Sequence, residues 1–304
     1  MTVNEILLEM DAQRNRQDAE ARKKKDEFLA QNPGAVKLLS ERSGLLLDML
    51  KSRLNGEKKD ISDKIEDINK RIERELGRGW QSAFEPARSC AACGDTGYVN
   101  AEGRKKMCAC LRERIYREIY HGEDIEGLEG SFKAFNLGVF PEGAQREQMA
   151  RACMLAKSAV KTGEPNLLAF LGSSGLGKSY LMSCMAKALN KQGKSVLYIN
   201  AFSLFDVFHR KRLGEDLLLQ PIFDADAVFI DDLGTEPMTA NITREYLFKL
   251  ISERSGAHRF TAAATNLTTR QLQERYTEKV TSRFFGIATG ARIVFEGRDI
   301  RISG

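Results

Sequence analysis

Hydrophobic and polar positions along the chain fall into two regimes. Before about residue 89, apolar residues recur three or four apart among charged ones, whereas from Asn166 onward they gather into short runs. The first spacing lines one face of a helix, and the second reads as strands buried on both faces. In the first regime Thr2 and Glu5 have the spacing of a capping box, and the charge-rich stretch to Gln31 predicts an exposed helix. Asn32-Pro33-Gly34 ends it. A second helix is predicted at 35–54, with Leu46, Leu50 and Leu54 at four-residue steps, followed by a turn at Asn55-Gly56. A third starts near Asp60 and carries Ile61, Ile65, Ile68, Ile72 and Leu76 on one seam. Two such seams make an antiparallel hairpin, whose narrow apolar stripe either packs within the chain or docks on a partner helix.

In the second regime strands are predicted at 167–171, 195–200, 227–231, 260–265 and 292–295, with helices between them. That alternation implies an α/β fold with a parallel sheet flanked by helices. Further helices are predicted at 111–120 and 145–162. Residues 123–141 form a Gly-rich linker carrying Phe132, Phe135 and Phe140, which pin it to the core or stack on a nucleobase.

Candidate chemistry sharpens this picture at the first strand. It runs into Gly172-Ser173-Ser174-Gly175-Leu176-Gly177-Lys178-Ser179, a full match to GxxxxGK[ST], and a helical stretch follows. The glycines let backbone amides curl round a polyphosphate, Lys178 meets the β/γ oxygens, and Ser179 offers a hydroxyl to Mg²⁺. A helix N-terminus behind the loop adds favourable dipole. The third strand ends in Asp231-Asp232, at the sheet edge where open α/β folds bind ligands. Asp231 is therefore the expected Mg²⁺ partner opposite Ser179, and Asp232 the group that orients or deprotonates water, with Glu236 close enough in sequence to share that role. Asn266, after the fourth strand, is placed to hold the attacking water.

Six cysteines occur in 304 residues, and four of them form C-x2-C-x14-C-x-C: Cys90, Cys93, Cys108 and Cys110. Four thiolates suit one tetrahedral Zn²⁺, with Gly94 and Gly97 allowing a tight knuckle, and so short a segment would fold around the metal. Cys153 and Cys184 fall among apolar helix positions and read as packing residues, and His121 as a solvated one. The formal charge of +5 permits contact with nucleic acid without demanding it. No apolar run is long enough to span a bilayer and the N-terminus is polar, which predicts a cytoplasmic protein without a membrane partner.

The phosphate loop, Asp231-Asp232-Leu233-Gly234, Thr265-Asn266 and Ser282-Arg283-Phe284 together resemble the AAA+ ATPases of the initiator and helicase-loader clade. The cysteine cluster with Gly94-Asp95-Thr96-Gly97-Tyr98, the linker phenylalanines and Glu296-Gly297-Arg298-Asp299-Ile300-Arg301 resemble bacterial helicase loaders of the DnaC/DnaI type. That resemblance implies Walker A at Gly172 to Ser179, Walker B at Asp231 and Asp232, sensor 1 at Asn266 and an arginine finger at Arg283, with Arg275 as the alternative. It further implies ATP, Mg²⁺ and Zn²⁺ as cofactors, slow DNA-stimulated hydrolysis acting as a release switch, and self-association through the ATP sites. Its partners would be a hexameric replicative DNA helicase and single-stranded DNA, the latter held by Arg210, Lys211 and Arg212 on a helix at 201–213 whose phenylalanines stay buried. The expected organisation is a helical partner-binding region at 1–89, a zinc-binding segment at 90–122, a linker at 123–144 and an AAA+ domain at 145–304. No room is foreseen after the last strand for a helical lid with its sensor 2 arginine, which would leave adenine less enclosed. The rival readings are an IstB-type transposase-assisting ATPase and a non-catalytic zinc adaptor.

Overall fold

The capping box forms at the start of the first helix: the Thr2 amide donates to Glu5 Oε2 at 2.7 Å and the Glu5 amide to Thr2 Oγ1 at 3.2 Å. These features come from a computed structural model that describes residues 1–54, 62–285 and 290–302. Its internal contacts divide the chain into two units, Leu7–Lys106, and Met107–Gly304 with Met1–Ile6.

The smaller unit is helical. Most of α1 (Val3–Ala30) lies in it, followed by α2 (Pro33–Leu54) and α3 (Ser62–Leu76). Pro33 occupies the first position of α2, where a missing amide hydrogen costs nothing. Ile68 and Ile72 of α3 are buried with Leu38 and Trp80, flanked by Phe28, Leu39, Leu45 and Phe84. The seam expected on α2 is thus displaced: Leu38 and Leu45 face the core, Leu46 is half-buried and Leu50 is 53% exposed. The expected turn at Asn55-Gly56 and Ile61 lie outside the described residues. A short hairpin, β1 (Tyr98–Ala101) and β2 (Arg104–Met107), follows.

In the larger unit α4 (Ala109–Arg114) continues as a wider helical turn to Ile119. After the linker come α5 (Ala144–Thr162), β3 (Leu167–Leu171), α6 (Lys178–Lys191), β4 (Val196–Asn200), α7 (Ala201–Arg212), α8 (Gln220–Asp224), β5 (Ala227–Asp231), α9 (Thr243–Gly256), β6 (Phe260–Thr265), α10 (Thr269–Tyr276), α11 (Glu278–Phe285) and β7 (Gly290–Val294). The sheet is parallel with order β4-β5-β6-β3-β7, flanked by helices. Asn200 pairs with Asp231 and Leu171 with Thr265, so the strands end together and collect their polar termini on one edge. Strands β3 and β6 are buried along their whole length, as their apolar runs require. Phe140, Met149, Phe170, Leu181 and Phe229 belong to one core, against which the linker residues Phe132 and Phe135 pack. Among the described residues no helix follows β7, and none is long and apolar enough to cross a membrane.

Candidate nucleotide and metal sites

At the carboxyl edge of the sheet the loop between β3 and α6 folds back over the strand ends. Gly172 has φ +142, and a Cβ there would lie 2.4 Å from the Phe295 carbonyl oxygen, so only glycine fits. Leu176 is buried in the core, leaving its backbone to the loop. Lys178, 6% exposed, donates to the carbonyls of Gly172 (2.6 Å) and Ser173 (2.7 Å) and to Asn266 Oδ1 (2.9 Å), which occupies all three of its N–H groups. Ser179 Oγ donates to Asp231 Oδ1 at 3.0 Å. Asp231 Oδ1 also accepts from the Asp232 amide, and its Oδ2 accepts from the Tyr198 hydroxyl at 2.7 Å. Lysine and hydroxyl from the start of α6, acid from the end of β5 and asparagine from after β6 thus meet at one edge of the sheet. A cavity of about 610 Å³ opens beside it, lined among others by Phe135, Val139, Gly175, Lys178, Asp232 and Arg301.

Over residues 143–298, just over half of the chain, the sequence matches the family model of IstB-like ATP-binding proteins. The chain belongs to the IstB-like ATP-binding protein family. Protein XkdC of the phage-like element PBSX of Bacillus subtilis (strain 168) is 24% identical over 243 residues, covering 73% of this chain and 91% of XkdC. Protein y4uH of Sinorhizobium fredii (strain NBRC 101917 / NGR234), which carries the name of an insertion sequence ATP-binding protein, is 25% identical over 138 residues, covering 45% of this chain and 53% of its own. The crystal structure of the DnaC helicase loader is 24% identical and superposes with a TM-score of 0.43, covering 54% of this chain and 98% of that one.

Electrostatics in the IstB-like domain follow from crowding at this edge. Burial lowers the Lys178 pKa and the nearby Arg301 lowers it further, against the opposing pull of Asp231 and Asp232. The Asp232 carboxyl is raised, first by burial and then by the negative Asp231 beside it, with Lys178 opposing. Asp232 also holds φ +51, a left-handed backbone angle uncommon for a non-glycine residue. Phe135 stacks on Phe140 with centroids 6.4 Å apart and meets Tyr180 at 5.7 Å, so this linker ring both pins and lines the cavity.

Other charged candidates are placed differently. Glu236 is buried within the IstB-like domain: its Oε2 accepts from the Gly234 amide at 2.8 Å, and its Oε1 accepts from the Tyr276 hydroxyl and the Arg275 guanidinium. That carboxylate and Arg275 tie the loop after β5 to α10. Arg283 on α11 is exposed, its guanidinium 5.1 Å from the Phe248 ring centroid. On α7, Arg210 pairs with Glu215 at 2.9 Å and with Asp206 at 3.8 Å, Lys211 is half-buried and Arg212 is exposed. Phe205 and Phe208 are buried as expected, but Phe202 is 59% exposed, because it lies about 100° round the helix from Ala201, at the margin of the face that Ala201, Leu204, Phe205 and Phe208 bury.

The sulfurs of Cys90, Cys93, Cys108 and Cys110 all lie within 4.8 Å of one another. Four thiolates around zinc at roughly 2.3 Å stand about 3.8 Å apart, so this set fits the metal in number, donor type and spacing. Asp95 shapes the first half of the knuckle by accepting from the Ser89 amide at 2.9 Å and the Cys90 amide at 2.7 Å. Reading the sequence alone missed Tyr198, and it took Asp95, Asp299 and Arg301 only as parts of motifs, with no role of their own. Tyr198 sits on the strand beside Asp231, and only the sheet order reveals that they meet.

Proposed function

We propose that this protein is an ATPase that loads a replicative DNA helicase onto single-stranded DNA, with hydrolysis releasing the helicase. The observation that carries the ATP chemistry is the network joining Lys178 to Asn266 and Ser179 to Asp231. On that reading Lys178 exchanges its carbonyl partners for β/γ-phosphate oxygens, and Ser179 and Asp231 hold Mg²⁺, which neutralises developing phosphate charge when bound. Asn266 positions the attacking water and Asp232 accepts its proton. Arg283, exposed on α11, serves a neighbouring subunit's nucleotide, while Lys211 and Arg212, with Arg210 assisting, track the DNA backbone.

The loader role, as distinct from an IstB-type transposition helper, is supported by what precedes the family match: a helical unit and a four-cysteine cluster consistent with bound zinc. The helical unit is then the part that grips the helicase. The family itself and y4uH favour the transposition reading, so the test is direct. Mixing the full chain with the helicase of the same cell and ATP should give a complex by mass photometry. A protein that ignores the helicase but binds a transposase encoded beside it is a transposition helper instead.

A further inference from the structure

Glu236 stands on the turn that leaves β5 and is 1% exposed. Asp232 lines the cavity beside the phosphate loop, and Glu236 is not among the residues that do. A carboxylate so deep is tolerated only when donors take up its oxygens. Glu236 Oε2 accepts from the Gly234 amide at 2.8 Å, and its Oε1 accepts from the Tyr276 hydroxyl and, at 3.4 Å, from Arg275 Nε. Arg275 Nη2 also donates to the Glu236 carbonyl. Burial, and then the carboxylate itself, holds the Tyr276 pKa well above its ordinary value, so that hydroxyl remains a donor. Both anchors are the last two residues of α10.

The turn held in this way is the one that carries Asp232. At φ +51, Asp232 keeps a backbone angle that a non-glycine residue holds only where its surroundings enforce it. Its carbonyl accepts from the Thr235 amide (3.1 Å) and the Thr235 hydroxyl (2.9 Å). Leu233 is fixed next, its amide donating to the Ala264 carbonyl at 2.8 Å and its carbonyl accepting from Thr265 Oγ1. Gly234, at φ +112, lies so near Leu267 that a Cβ would stand 2.6 Å from it. Glu236 closes the turn from the far side. Helix α10 begins three residues after Asn266, with Thr268 as its cap, so one helix of 8 residues joins the asparagine at its start to the acid-bearing turn at its end. Desolvation offsets much of the attraction within a buried ion pair, so what this tie supplies is geometry more than stability.

We propose that Glu236 is the positioning residue of Asp232, its carboxylate bracing the 232–236 turn on α10 so that the Asp232 carboxyl keeps its place on the cavity wall at a fixed span from Asn266. The inference rests on the ATP-hydrolysis reading above and names what aims the group that takes the proton. Glu236 itself takes no part in the chemistry, because both of its oxygens are engaged by protein donors and it is shut off from the cavity.

Binding of a fluorescent ATP analogue and single-turnover hydrolysis by the full-length protein test this, with thermal melting of each variant as the check on folding. Glu236→Gln should slow hydrolysis by roughly ten- to a hundredfold, the cost of displacing a reacting group by about 1 Å, while ATP affinity stays within about twofold. Glu236→Asp, which keeps the charge, should recover part of that rate. Tyr276→Phe, which removes one donor and leaves Arg275 in place, should lose less than Glu236→Gln. In the Asp232→Asn background a residue that acts only through the Asp232 carboxyl has nothing left to position, so adding Glu236→Gln should slow that variant by less than about twofold. Unchanged hydrolysis in Glu236→Gln overturns the inference, and so does a further slowing of Asp232→Asn as large as that seen in the parent. Equal losses of affinity and rate with a lowered melting temperature overturn it too, marking the tie as structural. Lys178→Ala should lose ATP; if it keeps its affinity, the ATP-binding reading itself fails, independently of Glu236.

Discussion

Asp231 and Asp232 are adjacent acids with different surroundings, which suits them to the different parts proposed for them. Asp231 accepts from Ser179, Tyr198 and the Asp232 amide, so its oxygens are fixed, whereas the Asp232 carboxyl is raised by burial and by its neighbour's charge. A carboxyl whose folded pKa lies above its unfolded value costs stability once ionised, and the cost vanishes below the unfolded pKa. Asp232→Asn should therefore cut ATP hydrolysis at least about a hundredfold while sparing ATP binding. The same variant should melt higher than the parent at pH 7, a gain that disappears as pH falls below about 4. Steady-state turnover and melting curves at the two pH values check both halves. The acids were legible in the sequence because an apolar run leading into Asp-Asp is a local signal. That Glu236 belongs to a buried tie with Tyr276 and Arg275 was not, since those partners lie on another element.

At the scale of elements, the phosphate loop and the strands around it could be read almost residue by residue. Leu167–Leu171, Ala227–Asp231 and Phe260–Thr265 are apolar runs bounded by turn residues, and burial on both faces admits no other pattern. On α2 the reading failed for a physical reason. Leu38, Leu39, Leu45, Leu46, Leu47 and Leu50 surround much of that helix, so spacing alone cannot say which of them faces α3. The cysteine knuckle was legible from spacing, yet the carboxylate that orders it, Asp95, reads as an ordinary turn residue. Purified in reducing, chelator-free buffer, the protein should carry one equivalent of zinc by elemental analysis. Cys93→Ser should lower that content and the melting temperature together, since metal affinity in such a segment is folding free energy.

For the whole molecule, the resemblance to loaders pointed to a site completed by a second copy, and Arg283 is the side chain that reading nominates. Arg283→Ala should leave nucleotide affinity within about twofold while reducing turnover by roughly a thousandfold or more, the range for a lost arginine finger. Single-turnover hydrolysis beside equilibrium binding separates the two, and undiminished turnover removes Arg283 from the role. The cavity beside the phosphate loop takes its walls from distant segments. Residues 295–302 cover the loop from one side and the Phe135 segment lines the cavity from the other, an arrangement spread over distant parts of the sequence and invisible to local pattern.

The sheet order has one more consequence, in the time domain of synthesis. Strand β3, which launches the phosphate loop, has β6 and β7 as its neighbours among the described strands, and both are made after β4 and β5. Contacts of such long sequence separation close slowly and late. On the ribosome, β4 and β5 can pair with each other well before β3 has any partner at all. A nascent chain therefore carries the whole GxxxxGKS segment, complete at Ser179, until residues 260–265 have emerged and β3 gains its first neighbour.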